Sequence, residues 1–142
     1  MNEMNASVQL QSKMHFLADA NGHQIPLDAD EAVGGEDRGA RPKALVLTAL
    51  LGCTGMDVIS ILRKMRVEVG GFSVEAKAKV ADEHPKVFTH ILLTYHFSGS
   101  DLPMDKLEKA IVLSHDRYCP VSAMLKQSTP IDWEIKTEDA SA

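Results

Sequence analysis

The sequence has no C-x-x-C pair, no excess of positive charge and no unbroken apolar run near the roughly 20 residues of a membrane-spanning helix. Each absence removes a class of function. The two cysteines, Cys53 and Cys119, lie far apart in the chain, and the six histidines show no ligand spacing around them, so no metal site is expected. A formal net charge of -5, spread along the chain, argues against a nucleic-acid partner. The longest apolar candidate, residues 44–53, is soon followed by Asp57 and Arg63, so no membrane association is expected. Residues 1–12 lack the basic-then-apolar order of a secretion signal, which points to a cytoplasmic protein. In that reducing compartment two cysteines remain thiols, and any pairing between them is functional before it is structural.

What is present suffices for a folded core. With 142 residues and a hydrophobic fraction of 44%, the chain fits a single domain, residues 1–142, without staples. Asn21-Gly22 between apolar segments 14–18 and 23–27 predicts an N-terminal hairpin. Residues 28–41, with Gly34, Gly35 and Gly39 among Glu36, Asp37 and Arg38, read as a flexible loop bordering a site. Pro42 opens a long helix, apolar all round until Arg63, Lys64 and Arg66, and stopped by Gly70-Gly71. Strict alternation over 72–80 predicts a strand with one wet face, and 87–97 its antiparallel neighbour. Asp101 then caps a helix running to about Tyr118, a short helix follows over 121–126, and 130–136 closes the chain as a strand. This order argues for an α+β fold. A helix that is apolar on every side is hard to cover in so small a domain, and a homodimer packing two such helices together resolves the difficulty. Trp133 and Phe97 are expected in the core or in cross-strand pairs, the methionines as gap-fillers, and His96 and His115 at the surface or hydrogen-bonded.

A cysteine acts as a nucleophile only as the thiolate, so the surroundings of each thiol decide what it can do. Cys119 precedes Pro120 at a helix start, near free amides and Arg117, whereas Cys53 sits inside an apolar helix one turn before Asp57. Local electrostatics therefore make Cys119 the more acidic thiol. Free cysteines are also often inert buried hydrophobes, and the composition leaves that reading open.

Two segments resemble the OsmC/Ohr family: Arg41-Pro42-Lys43-Ala44-Leu45 through Leu50-Leu51-Gly52-Cys53, and Tyr118-Cys119-Pro120-Val121-Ser122 through Leu125. The resemblance extends over nearly the whole chain and is nearest the YhfA-like branch, on Asp57, Lys64-Met65-Arg66 and Leu113-Ser114. It implies an OsmC-like fold, with antiparallel sheets packed around two long helices in an intertwined homodimer whose active sites lie at the subunit interface. It further implies a thiol-dependent hydroperoxide reductase, acting on organic hydroperoxides or hydrogen peroxide in oxidative-stress defence, with no bound metal, flavin or haem. In such a protein Cys53 is peroxidatic, Cys119 resolving, and a dithiol reductant reopens the disulfide. The local argument picks the other sulfur as the more acidic, and the family assignment takes precedence because the tertiary neighbours of Cys53 are invisible in the sequence.

One departure bears on this activity. Many peroxidase members have Pro-Glu where this chain has Pro42-Lys43, and the family's catalytic arginine has no certain match. Arg38, Arg41 and Lys43 are the candidates for a cation near Cys53. The alternatives are a non-catalytic dimer of the same fold that binds a small apolar ligand or senses oxidation, and a structural dimer with inert thiols.

Overall fold

The computed structural model describes residues 2–139, which form six strands and three α-helices of the α+β class, with a short 3-10 helix and a π-helical turn, in two compact units, residues 1–48 and 49–142. The first unit holds an antiparallel meander of β1 (Ala6–Ser12), β2 (His15–Ala20) and β3 (His23–Leu27). The expected hairpin is β2–β3, turning on Asn21 and Gly22 at φ of 53° and 80°, as a tight two-residue turn requires. β1 falls in the stretch assigned no element. All its residues are exposed, so no buried face imprinted a pattern on its sequence.

The loop after β3 is ordered rather than flexible. The buried Asp28 carboxylate accepts backbone N–H groups from Ala29 at 2.7 Å, Glu36 at 3.2 Å and Arg38 at 3.0 Å. Burial alone would raise the Asp28 pKa, but these donors, with help from the His15 charge, carry it below the usual carboxylate value. A short 3-10 turn, Glu31–Val33, is capped by Asp30. A Cβ on Gly35 would lie 1.9 Å from the Ala29 carbonyl oxygen, so the loop folds back only because no side chain is there.

α1 (Pro42–Lys64) begins in the first unit and continues into the second. It ends on its own sequence well before Gly70-Gly71. Arg66 takes φ of 59°, its N–H donates to the Arg63 carbonyl at 3.0 Å, and that of Val67 donates to Leu62 at 2.9 Å. This closure normally uses glycine; here the two residues that such a closure brings together, Val67 and Leu62, are both buried. Only Leu50, Thr54, Val58 and Leu62 of α1 are buried, a single stripe at every fourth residue. Met56, expected on the covered face, is 77% exposed. By length and composition α1 is also apolar enough to cross a membrane, its most apolar 18-residue window having a mean hydropathy of 2.0 although Asp57 interrupts the apolar run.

The second unit is built on the sheet β4 (Gly71–Val80), β5 (Phe88–Gly99) and β6 (Ile131–Asp139), with β5 central. β4 pairs antiparallel to β5 as its alternation predicts, and Ile91, Leu93, Tyr95 and Phe97 of β5 are buried. β6 joins parallel to β5, so this sheet is mixed. A parallel return needs a long crossover, and α2 (Met104–Leu113), a π-helical turn (Ser114–Tyr118) and α3 (Pro120–Leu125) supply it. Asp101 does not cap α2; Pro103 occupies that position without a side-chain bond. Gly55 of α1 lies so close to Phe72 and Val74 that an added Cβ would touch both, which seats the helix on the sheet.

Gly35→Ala should lower stability by about 1–3 kcal/mol, the usual cost of forcing atoms into a filled site. Urea denaturation measures it, and an unchanged midpoint would show that the loop yields without cost.

Candidate functional site: a cysteine pair backed by a buried polar chain

Cys53 and Asp57 are one turn apart on α1, so helical periodicity points both side chains the same way. Cys119 arrives from the crossover. Its N–H donates to the Ser114 carbonyl at 2.8 Å, which closes the π-helical turn, and it then serves as the N-cap of α3 with Pro120 at the first helical position. The wide turn stops α2 and carries Ser114 and His115 into the interior. As a result the two sulfurs and a carboxylate oxygen of Asp57 all lie within 4.8 Å of one another.

The environments of the thiols differ. Cys53 is half-buried and Cys119 is 2% exposed. Burial pushes the Cys119 thiol up to about 11, and the adjacent Cys53 adds to the rise. The amides of Ser122, 3.3 Å from its sulfur, and Val121 pull the other way without prevailing. The helix N-terminus read from the sequence is therefore present, but the expectation that Cys119 is an acidic thiol is overturned by desolvation. Chemically, two thiols at this separation with a carboxylate beside them suit disulfide exchange. The same three atoms are also able to ligate a soft metal ion, an arrangement that spacing along the chain does not reveal.

Behind the cysteines runs a continuous chain of polar side chains. Ser114 Oγ donates to Asp57 Oδ2 at 3.0 Å. Having used its one proton, Ser114 accepts from the Thr54 hydroxyl at 2.8 Å. Thr54 in turn accepts from the Tyr95 hydroxyl at 2.8 Å, and Tyr95 from His115 Nε2 at 2.8 Å. His115 Nδ1 is then left to accept from Ser122 Oγ at 3.3 Å. The Ser114-to-Asp57 bond thus orders every bond in one direction and sets the Nε2–H tautomer of neutral His115. Thr54, Tyr95, Ser114 and Ser122 are essentially inaccessible and His115 nearly so, yet each is satisfied. Burial raises the Tyr95 pKa and lowers that of His115; for His115 the Asp116 charge opposes the change and Lys126 adds to it. None of these five was singled out as a site residue from the sequence. Their positions scatter over α1, β5, the π-helical turn and α3, and His115 alone was expected to be hydrogen-bonded.

The candidate cations lie in the first unit. Arg41 is held by Asp37 at 2.6 Å and Asp30 at 3.6 Å, and Arg38 approaches Glu36 at 3.9 Å. Lys43 occupies the first turn of α1, and Cys53 comes about three turns later on the same helix. Next to Asp57 in the second unit is a groove of about 380 Å³, whose walls include Ile61, Met65, Leu113 and Tyr118, with Lys64 at its margin. Elsewhere, Phe97 is in the core, Trp133 meets Tyr95 edge-on at 6.5 Å, and His96 pairs with Glu75 at 2.9 Å at the surface.

The α+β scaffold with its crossover from the central strand to a parallel edge strand defines a class of fold, and comparison with known proteins narrows it. The family model for OsmC-like protein matches residues 34–134. The chain belongs to the OsmC-like family. Protein YhfA of Escherichia coli strain K12 is 36% identical to it over 129 residues, 90% of this chain and 93% of YhfA. A hypothetical protein of Aquifex aeolicus VF5 superposes with a TM-score of 0.83 at 34% identity, covering 97% of this chain and 99% of that one. The organic hydroperoxide resistance protein OhrB of Bacillus subtilis superposes with a TM-score of 0.67 over 95% of this chain and 98% of its own, at 16% identity, which establishes a shared fold.

Because burial lowers the pKa of folded His115, the unfolded chain binds that proton more readily. Stability is then intact above about pH 6.5 and falls as the pH drops below it toward the folded value. His115→Gln should lack this component, so urea midpoints of the two proteins should converge between neutral and mildly acidic pH; parallel midpoints would contradict it.

Proposed function

We infer that the protein is a thiol-dependent hydroperoxide reductase of the cytoplasm, with Cys53 the attacking and Cys119 the resolving thiol. The observation that carries this reading is the meeting of two sulfurs, from distant parts of the chain, within 4.8 Å. Accessibility supports the order. Cys53 is open enough for a peroxide to reach, whereas Cys119 is buried and holds its proton. The Cys53 thiolate attacks the outer peroxide oxygen, the O–O bond breaks, and an alcohol or water leaves after taking up a proton. Cys53 is then a sulfenic acid. Cys119 displaces its oxygen as water to form the disulfide, and an external dithiol reduces that bond. The apolar groove beside Asp57 fits the organic part of a hydroperoxide.

The working form in this reading is a homodimer with the sites at the subunit interface. The long apolar helix supports it, since one protomer covers only the Leu50–Thr54–Val58–Leu62 stripe and leaves Val46 and Met56 exposed. Met56→Glu should convert a dimer to monomer in light scattering after gel filtration; a variant that elutes unchanged would place Met56 outside the interface.

The decisive assay is hydroperoxide-dependent oxidation of dithiothreitol by wild type, Cys53→Ser and Cys119→Ser, with hydrogen peroxide and cumene hydroperoxide compared. Turnover should vanish in Cys53→Ser, and Cys119→Ser should accumulate the sulfenic acid. No turnover in wild type with either oxidant would overturn the reductase and favour a dimer that binds an apolar ligand or senses oxidation.

A further inference from the structure

The reaction just described leaves a proton without a carrier. Resolution requires the Cys119 sulfur to attack as a thiolate, yet this sulfur is 2% exposed and no bulk water can take its proton. Something inside the site must do so.

Asp57 is placed for this. One of its oxygens is within 4.8 Å of both sulfurs, a separation that a modest side-chain rotation or one intervening water closes. Oδ2 receives the Ser114 hydroxyl at 3.0 Å, which steadies the carboxylate without neutralising it. Through Ser114, Thr54, Tyr95 and His115 the polar chain continues to Ser122, whose amide contacts the Cys119 sulfur. The chain therefore begins and ends beside the reacting pair. Burying five hydroxyl and imidazole groups in an apolar core brings little net stability even when all are paired. What the arrangement does supply is a fixed set of dipoles, all directed toward the Asp57 carboxylate.

We propose that Asp57 takes the thiol proton of Cys119 as that sulfur attacks the sulfenic acid of Cys53, and delivers it to the departing oxygen. The step balances. The Cys119 S–H bond breaks and its proton passes to Asp57; the S–S bond forms as the S–O bond of Cys53 breaks; the leaving hydroxide takes the proton as water, and Asp57 returns to the carboxylate. Cys119 is oxidised and the sulfenic sulfur reduced to the disulfide level. The role rests on the Cys53–Cys119 reading of the preceding section and goes beyond it by naming the acid–base group. It also reverses the role that sequence spacing suggests for Asp57, that of a charge merely opposing thiolate formation nearby.

The groups facing Asp57 are Cys53 on its own helix, Cys119 ahead of α3, Ser114 in the π-helical turn, and Lys64 and Tyr118 along the groove. Tyr95 also feels the Asp57 charge directly, while His115 reaches it through the chain. A carboxylate working as base predicts a pH signature that loss of structure alone would not give. Asp57→Asn keeps an oxygen to accept from Ser114 and loses the basicity; Asp57→Glu restores it.

The reduced full-length protein is treated with one equivalent of hydrogen peroxide. Sulfenic acid is captured with dimedone, and disulfide closure is followed by mass spectrometry. At neutral pH, Asp57→Asn should close the disulfide about 100-fold more slowly than wild type and accumulate dimedone adduct on Cys53. The deficit should shrink at pH about 10, where Cys119 begins to ionise unaided, and Asp57→Glu should recover most of the rate. Closure at the wild-type rate in Asp57→Asn at neutral pH, or a deficit equal at every pH, would overturn the proposal while leaving the cysteine pair intact. Failure of wild type to form any sulfenic acid or disulfide would instead remove the dithiol reading itself, and this role with it.

Discussion

The hydroxyl of Thr54 is the point on which the second unit depends. It lies on α1, bonds Tyr95 in the central strand, and bonds Ser114 where α2 gives way to the π-helical turn, each at 2.8 Å. A single inaccessible oxygen thus joins three elements that meet nowhere near one another in the chain. A hydroxyl in an apolar core costs free energy when unpaired, so the packing that satisfies it is strongly preferred over neighbouring registers. Cys53 precedes Thr54, and Asp57 lies one turn later. Fixing Thr54 therefore fixes the rotation of the helix about its axis, and with it the direction in which the thiol and the carboxylate point.

The π-helical turn completes the arrangement from the other side. Continuation of α2 with ordinary spacing would rotate successive side chains by about 100° each, and the extra residue in the turn changes that phase. Ser114 and His115 both remain inside, and Cys119 emerges with the β/extended backbone of an N-cap. Proline at position 120 is compatible with this because the first helical residue has no intrahelical use for an N–H. The site is consequently made of one uninterrupted helix and one interrupted one.

Much of this was legible in the sequence and some was not, for physical reasons. The β4–β5 ladder was readable because each strand buries one face, and Phe72, Val74, Ala76 and Ala78 alternate with polar residues. β1 was not, because its exposed residues obey no burial constraint. The parallel return of β6 is a matter of topology, to which local pattern is blind. The two cysteines were found through family resemblance, not through their surroundings. The polar chain left no local signal at all: Thr54, Tyr95, Ser114, His115 and Ser122 are ordinary residue types until the fold assembles them.

Cys119 shows why local electrostatics misled. A helix N-terminus stabilises a thiolate through a few partial charges that act in the first turn, worth on the order of a kcal/mol. Removing a sulfur from water costs the anion more than that, and the cost depends on everything packed around it rather than on sequence neighbours. Both influences act here, and burial prevails. The outcome has a functional sense within a two-cysteine cycle. A resolving thiol that keeps its proton does not compete with Cys53 for peroxide and is spared over-oxidation, because oxidation follows thiolate character and access. In the proposed cycle it must then be deprotonated at the moment of resolution, by a group already inside the site. Under the proposed cycle the constraint that protects Cys119 creates the need for a nearby carboxylate, and α1 places an Asp57 oxygen within 4.8 Å of both sulfurs.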